Sequence, residues 1–165
     1  MRVALDDGRE VTVRPLGHAD GPALEAAFRR ADPWDLRRRF MGMPPPVSWL
    51  LRQLDKADGI HDLPIGAFTD EGRLIAVAQF DRSDDGPRAE VAIEVAKDWQ
   101  HAGLGTKLLT KLAGMARERG VHEFTATYYA DNIAIRRLLR EVGHVVDSGF
   151  DAGEGYARLD LDAAS

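Results

Sequence analysis

The stretch Glu90-Val-Ala-Ile-Glu-Val-Ala-Lys-Asp-Trp-Gln100-His-Ala-Gly-Leu-Gly-Thr-Lys-Leu-Leu109 decides how this chain is read. Its first half alternates, with Val91, Ile93 and Val95 on one side and Glu90 and Glu94 on the other, the period of a strand. Its last residues open a run at helical spacing, continued by Leu112, Met115 and Ala116 and stopped by Gly120. Between the two lies a loop containing Gly103 and Gly105. The first N–H groups of a helix have no internal partner and carry the positive end of its dipole. Glycine lets main chain approach a ligand closely. Strand, glycine loop and helix together therefore predict a cradle for phosphate oxygens.

Spacing narrows the kind of cradle. Gly105-Thr106-Lys107-Leu108 has the wrong order for a Walker-type loop, and Leu108 stands where the dinucleotide fingerprint requires its third glycine. The pattern that remains is Gln100-x-x-Gly103-x-Gly105.

Working outward, Asp7-Gly8 reads as a turn and Val11 and Val13 as a first strand, ended by Pro15. Asp20 is placed to cap a helix carrying Leu24, Ala27, Phe28 and Ala31, a short helix over 35–41 follows, and Pro44-Pro45-Pro46 breaks the chain. Ser48 is placed to cap a third helix, with Trp49, Leu50 and Leu54 apolar. From residue 64 a hairpin is expected around Glu71-Gly72, then the strand already described. After the central helix, 122–129 reads as a strand and Asp131-Asn132 caps a helix carrying Ile135, Leu138 and Leu139 that ends at Gly143. Residues 144–150 and 156–161 close the chain as an antiparallel pair. The expectation is one α/β domain over 1–165: a mixed, mostly antiparallel sheet of about seven strands flanked by helices.

Composition removes several function classes. With 165 residues, 44% hydrophobic and 30% charged, the chain suits a single packed domain, and it has no apolar run long enough for a membrane span and no leader-like N-terminus. The absence of cysteine removes disulfides, thiolate nucleophiles and Cys-based metal sites, and with the missing leader it fits a cytoplasmic protein. A net charge of -5 argues against a nucleic-acid partner, and Arg37-Arg38-Arg39 reads as a solvated helix end. The string from Asp81 to Gly86 lacks the Glu that a calcium loop needs, since Ala92 holds that position. Ser83, Ser148 and the five histidines show no nucleophile–base or metal-ligand spacing, so no metal is expected.

Gln100-x-x-Gly103-x-Gly105 between a strand and a long helix resembles the acetyl-CoA pyrophosphate loop of the GNAT N-acetyltransferases. A second segment, from Asn132 to Gly143-His144, resembles the later family motif in which an Asn opens a helix ending in Gly-Phe. The resemblance implies a GNAT fold with a splayed strand pair that binds acyl-CoA. Glu94, Val95 and Ala96 would lie along the pantetheine arm. Gln100, His101, Ala102, Gly103, Leu104, Gly105 and Thr106 would form the pyrophosphate loop, and Asn132 would touch the donor besides capping its helix. Two positions depart from the family pattern: His144 replaces the usual Phe, and Leu139 replaces the Tyr that protonates the leaving thiolate in many members. The acid is left open between Tyr128, Tyr129 and water.

The resemblance also implies a base. A lysine amine, with a pKa near ~10.4, is protonated at neutral pH and must lose a proton before it attacks a thioester. Glu90 stands where histone-type and bacterial protein lysine acetyltransferases carry their catalytic Glu. By strand parity Glu90 and Glu94 share a face, and a bulge between them would send one to the cleft and the other to the donor arm or solvent.

Residues 7–16, Arg37–Gly42 with the proline break, 76–80 and 89–95 together look like the catalytic domain of bacterial protein lysine acetyltransferases, which modify a lysine of acyl-CoA synthetases. The expected function is transfer of an acetyl group from acetyl-CoA to such a lysine, with a small-molecule amine acetyltransferase and a non-catalytic acyl-CoA-binding module as alternatives. Relatives often carry a fused regulatory region, for which this chain leaves no room. Trp34, Phe40, Met41, Met43 and Trp49 read at helical spacing as core, with an acceptor groove as the other use.

Overall fold

A computed structural model describes residues 1–162. The chain opens with a hairpin, β1 (Arg2–Ala4) and β2 (Glu10–Pro15), and then lays down three helices, α1 (Gly21–Arg30), α2 (Pro33–Phe40) and α3 (Val47–Lys56). Three strands follow, β3 (Asp62–Phe68), β4 (Leu74–Asp81) and β5 (Arg88–Val95), and then the long helix α4 (Leu104–Glu118). Strand β6 (Glu123–Tyr129), helix α5 (Ile133–Val142) and the hairpin β7 (His144–Asp151) and β8 (Glu154–Asp160) complete the order. The strands form one sheet of eight in the order β1-β2-β3-β4-β5-β6-β8-β7. β5 and β6 are parallel; the other neighbouring pairs are antiparallel.

The sheet thus has eight strands where about seven were expected, because Met1-Arg2-Val3-Ala4 is too short to show a period and is held by pairing with Val11 and its neighbours. Two expected caps also differ. Asp20 turns its carboxylate back to Arg14, accepting from Nη1 and Nη2 at 2.9 and 2.8 Å, and from the Gly17 N–H at 2.8 Å. Helix α3 starts at Val47 directly after Pro46, which places Ser48 inside the first turn. Asn132 does cap its helix, accepting from the Ile135 N–H at 3.3 Å.

The two faces of the sheet are filled unequally. One face carries the main core, where Ile65, Ala78, Phe80, Val91 and Phe124 meet Leu104, Leu108, Leu109, Leu112 and Ala116 of α4. Leu139 of α5, 1% exposed, belongs to the same core. The other face has only a small cluster, Leu16, Leu54, Phe68 and Leu74 with Ala23, Leu24, Ala27 and Val77 around it. Helices α1–α3 bridge this face without filling it, and a cavity of about 720 Å³ lies between them and β3–β5.

Candidate functional site

β5 and β6 pair over three rungs, Arg88↔Glu123, Ala89↔Phe124 and Glu90↔Thr125. Beyond Glu90, β5 runs on to Val95 bonded to β4 alone, and β6 runs on to Tyr129 bonded to β8 alone. The strands therefore part into a V, leaving main-chain groups of 91–95 without a strand neighbour on that side. Such groups are strong, obligatory hydrogen-bonding groups.

At the open end of the V, Gly103 precedes α4 with φ 80°, in the left-handed region that glycine adopts without strain. A Cβ there would also fall 2.5 Å from the Asp6 carboxylate. Gly105 is different: a Cβ would meet Leu138 at 3.5 Å and Ile93 at 3.8 Å, ordinary contacts. The loop is braced from several sides. Gln100 Nε2 donates to the Val95 carbonyl at 2.9 Å and to Asp35 at 3.3 Å. The Asp6 N–H donates to the Ala102 carbonyl at 3.0 Å, Lys107 pairs with Asp6 at 3.0 Å, and Arg9 lies 3.9 Å over the Trp99 ring. His101 is exposed at φ 65°, a costly conformation for a non-glycine residue. Ala102 and Leu104 are buried, so only their main chain can serve a ligand. The Thr106 hydroxyl donates to Glu141 at 2.7 Å. These residues present the first N–H groups of α4 at the mouth of the V, as the phosphate cradle requires.

The cavity lies on the other face, and Glu90, Ala92 and Glu94 all line it. The β4–β5 register runs unbroken from Ala76↔Val95 to Asp81↔Glu90, so no bulge separates the two glutamates and both point to the same side. The shared face expected from strand parity is the one found, and the bulge that would have separated the two side chains is absent from this ladder. Glu90 is exposed, whereas Glu94 is half-buried. Burial pushes the Glu94 carboxyl up to about 7, with Arg39 drawing it the other way and Asp35 adding to the rise.

Glu90 does not stand alone. Asp62, Asp81 and Glu90 are in register on adjacent strands, three carboxylates in a row across the cavity floor. Like charges placed opposite one another destabilise a sheet, and Asp62 is pushed up to about 6, by burial first and then by Asp81. Arg39, expected in a solvated run, instead turns inward from α2 to line the cavity, while Arg37 and Arg38 are exposed. Trp34, Met43 and Trp49, read as core, are 69%, 93% and 41% exposed, because α2 and α3 cover the sheet only along Leu36 and Leu54. Trp49 and Phe40 border the cavity. Leu139 is enclosed in the core, and Tyr128 is buried against Phe150 and Gly155 on the α5 side.

A sheet that opens beside a glycine-led helix, with an acid-lined cavity behind the opening, fits an acyl-transfer enzyme of the acetyltransferase class. The family model described as Acetyltransferase (GNAT) family matches residues 26–144, and the chain belongs to that family. It is 30% identical over 146 residues to the acetyltransferase PA5475 of Pseudomonas aeruginosa, covering 86% of this chain and 78% of that one. It is 34% identical over 113 residues to the acetyltransferase Pat of Mycolicibacterium smegmatis, and the match spans 67% of this chain but only 34% of that relative's length. Among solved structures, the GNAT domain of S. lividans PAT superposes with a TM-score of 0.89 at 25% identity, covering 98% of this chain and 96% of the other. A phosphinothricin acetyltransferase of Sinorhizobium meliloti, solved in complex with acetyl-CoA, shares the fold with a TM-score of 0.73 at 18% identity, over 92% of this chain and 88% of that one.

Proposed function

We propose that this acetyltransferase takes its acetyl group from acetyl-CoA and passes it to a primary amine, with Glu90 as general base and a lysine side chain of a folded protein as acceptor. The observation that carries the reading is the place of Glu90: it ends the last shared rung of β5 and β6, so it borders both the V and the cavity. A donor seated in the V, its pyrophosphate on the N–H groups of residues 101–106 and its pantetheine along 94–96, would bring its thioester between the strands. Asn132 and Gln100 would steady the flanks of that seat.

An amine entering from the cavity would lose its proton to Glu90, directly or through water, and its nitrogen would attack the thioester carbon. The C–S bond then breaks, the sulfur leaves as thiolate, and the acylated nitrogen gives up its remaining extra proton to solvent to become the amide. Leu139 cannot protonate the thiolate and Tyr128 lies in the core, which leaves water or Tyr129, half-buried at the end of β6, as the proton source. A thiol with a pKa near ~8.5 is a fair leaving group in either case.

The lysine acceptor rests on the resemblance of the sequence to the catalytic domain of bacterial protein lysine acetyltransferases, and the likeness to the S. lividans PAT domain over 98% of this chain and to the M. smegmatis acetyltransferase Pat over 67% of it is in keeping with that reading. An acyl-CoA synthetase is the target class that the resemblance implies. A second reading, a small free amine, is favoured by the size of the cavity, about 720 Å³, which exceeds what one lysine side chain fills. Glu90→Gln tests the common core of both: acetyl-CoA affinity should persist while turnover at pH 7 falls by roughly 10²–10⁴. Retained turnover would remove Glu90 from the reaction.

A further inference from the structure

Arg39 is the anomaly of the cavity. Its guanidinium is half-buried and lines the cavity, and among the described residues it makes no side-chain hydrogen bond and no ion pair within 4 Å. The ring of Phe40 lies 4.8 Å from it. Of the other cations bordering this cavity, Arg73 is held by Asp98 at 3.1 Å and the exposed Lys97 by Asp32 at 3.2 Å, while Arg30, which has no ion pair among the described residues, is exposed at the rim. The five guanidinium donors of Arg39 thus have no protein acceptor and are open to a ligand in the cavity. Carboxylates are near enough to act on Arg39 through space, namely Asp81, Glu90 and Glu94, but none is bonded to it.

An unpaired guanidinium in a binding cavity is shaped for one kind of guest. Its planar fork matches a carboxylate in a two-bond contact. The floor beneath it, where Asp62, Asp81 and Glu90 stand in a row, suits the opposite charge. The cavity therefore offers a cation-accepting floor and an anion-accepting wall at once.

We infer that Arg39 is a specificity-determining residue that binds a carboxylate carried beside the acceptor amine. Two sources supply that chemistry: an acidic side chain next to the lysine of a protein, and the α-carboxylate of a free amino acid. The inference rests on the amine-acetylation reading above and deepens it by naming what the acceptor must carry.

Initial-rate kinetics on two substrate pairs test it. The first pair is a capped short peptide with one lysine followed by Glu, against the same peptide with Gln. The second is L-lysine against cadaverine, which lacks the carboxylate. The wild-type enzyme should favour the carboxylate-bearing member of at least one pair by roughly 10- to 100-fold in kcat/KM, the range expected of a hydrogen bond to a charged group. Preference in the peptide pair identifies an acidic side chain as the source, and preference in the second pair identifies the α-carboxylate. Arg39→Gln should erase the preference through KM with kcat retained, and Arg39→Lys should restore part of it. No preference in either pair, turnover of none of the four compounds, or a preference that survives Arg39→Gln would each overturn the inference. Glu90→Gln separates this from the broader reading: if that variant loses turnover while the Arg39 variants keep the wild-type preference, base catalysis stands and the role given to Arg39 falls.

Discussion

Glu90 of β5 faces Thr125 of β6 across the last rung that these strands share. A carboxylate at that point is fixed by two neighbours, Asp81 on one side and Thr125 on the other, before the sheet opens. The strand pairing thus places the residue by main-chain register and leaves its side chain exposed to a substrate.

Glu94 gives the molecule a pH dependence that can be measured without a substrate. Its carboxyl rises from the ordinary 4.5 to about 7 in the fold, chiefly through burial. The folded state therefore holds a proton that the unfolded state has already released, and stability falls as pH rises from about 4.5 to about 7. Asp62, raised to about 6, acts in the same direction over a lower window. Glu94→Gln should flatten the decline in thermal midpoint, most clearly between pH 6 and 7 where Asp62 has largely finished. An unchanged slope would show that the Glu94 carboxyl is solvated.

The two loop glycines should separate stability from donor binding. Gly103→Ala puts a side chain at φ 80° and against Asp6, so it should cost about 1–2 kcal/mol and lower the thermal midpoint. Gly105→Ala meets only ordinary contacts at 3.5 and 3.8 Å and should leave the midpoint nearly unchanged. Its added methyl should still weaken acetyl-CoA binding several-fold in calorimetry, since it stands on the first turn of α4 where main chain must approach the pyrophosphate. Equal affinity in that variant would place the donor elsewhere.

Leu139 should behave as a packing residue. At 1% exposure, its truncation to Ala should cost about 2–5 kcal/mol. Chemical denaturation reads that loss directly. If stability hardly moves while thiolate release slows, the residue belongs to the reaction after all.

Much of the site was visible in the chain because it is local. The alternation of 90–95, the glycines at 103 and 105 and the start of α4 are adjacent in sequence, and Asn132 needs only the helix it opens. The acid row was hidden for a definite reason. Counting back from the Glu71-Gly72 turn does set Asp62 against Asp81, the register observed. The hairpin was expected only from residue 64, however, so Asp62 fell outside the strand, and the pairing of Asp81 with Glu90 depends on a second, longer turn that fixes no register by itself. Arg39 was hidden by its neighbours, since three consecutive arginines on one turn look alike until the helix is docked and one of them faces inward. Trp34, Met43 and Trp49 failed the opposite way: hydrophobic character predicted burial, but two short helices cannot enclose every apolar residue that they and the loop between them carry.

Three rungs are a short seam for a sheet of eight strands. Strands β1–β5 and β6–β8 are in effect two panels stitched at one corner, with α4 packed on β3, β4 and β5 and touching α5 on the far panel. Little hydrogen bonding opposes a change of angle between the panels, so the width of the opening is governed by the side chains beneath α4 and α5 rather than by the ladder. Mutations at Leu108 and Leu112, buried beneath α4, would alter the gape of the molecule from behind the mouth.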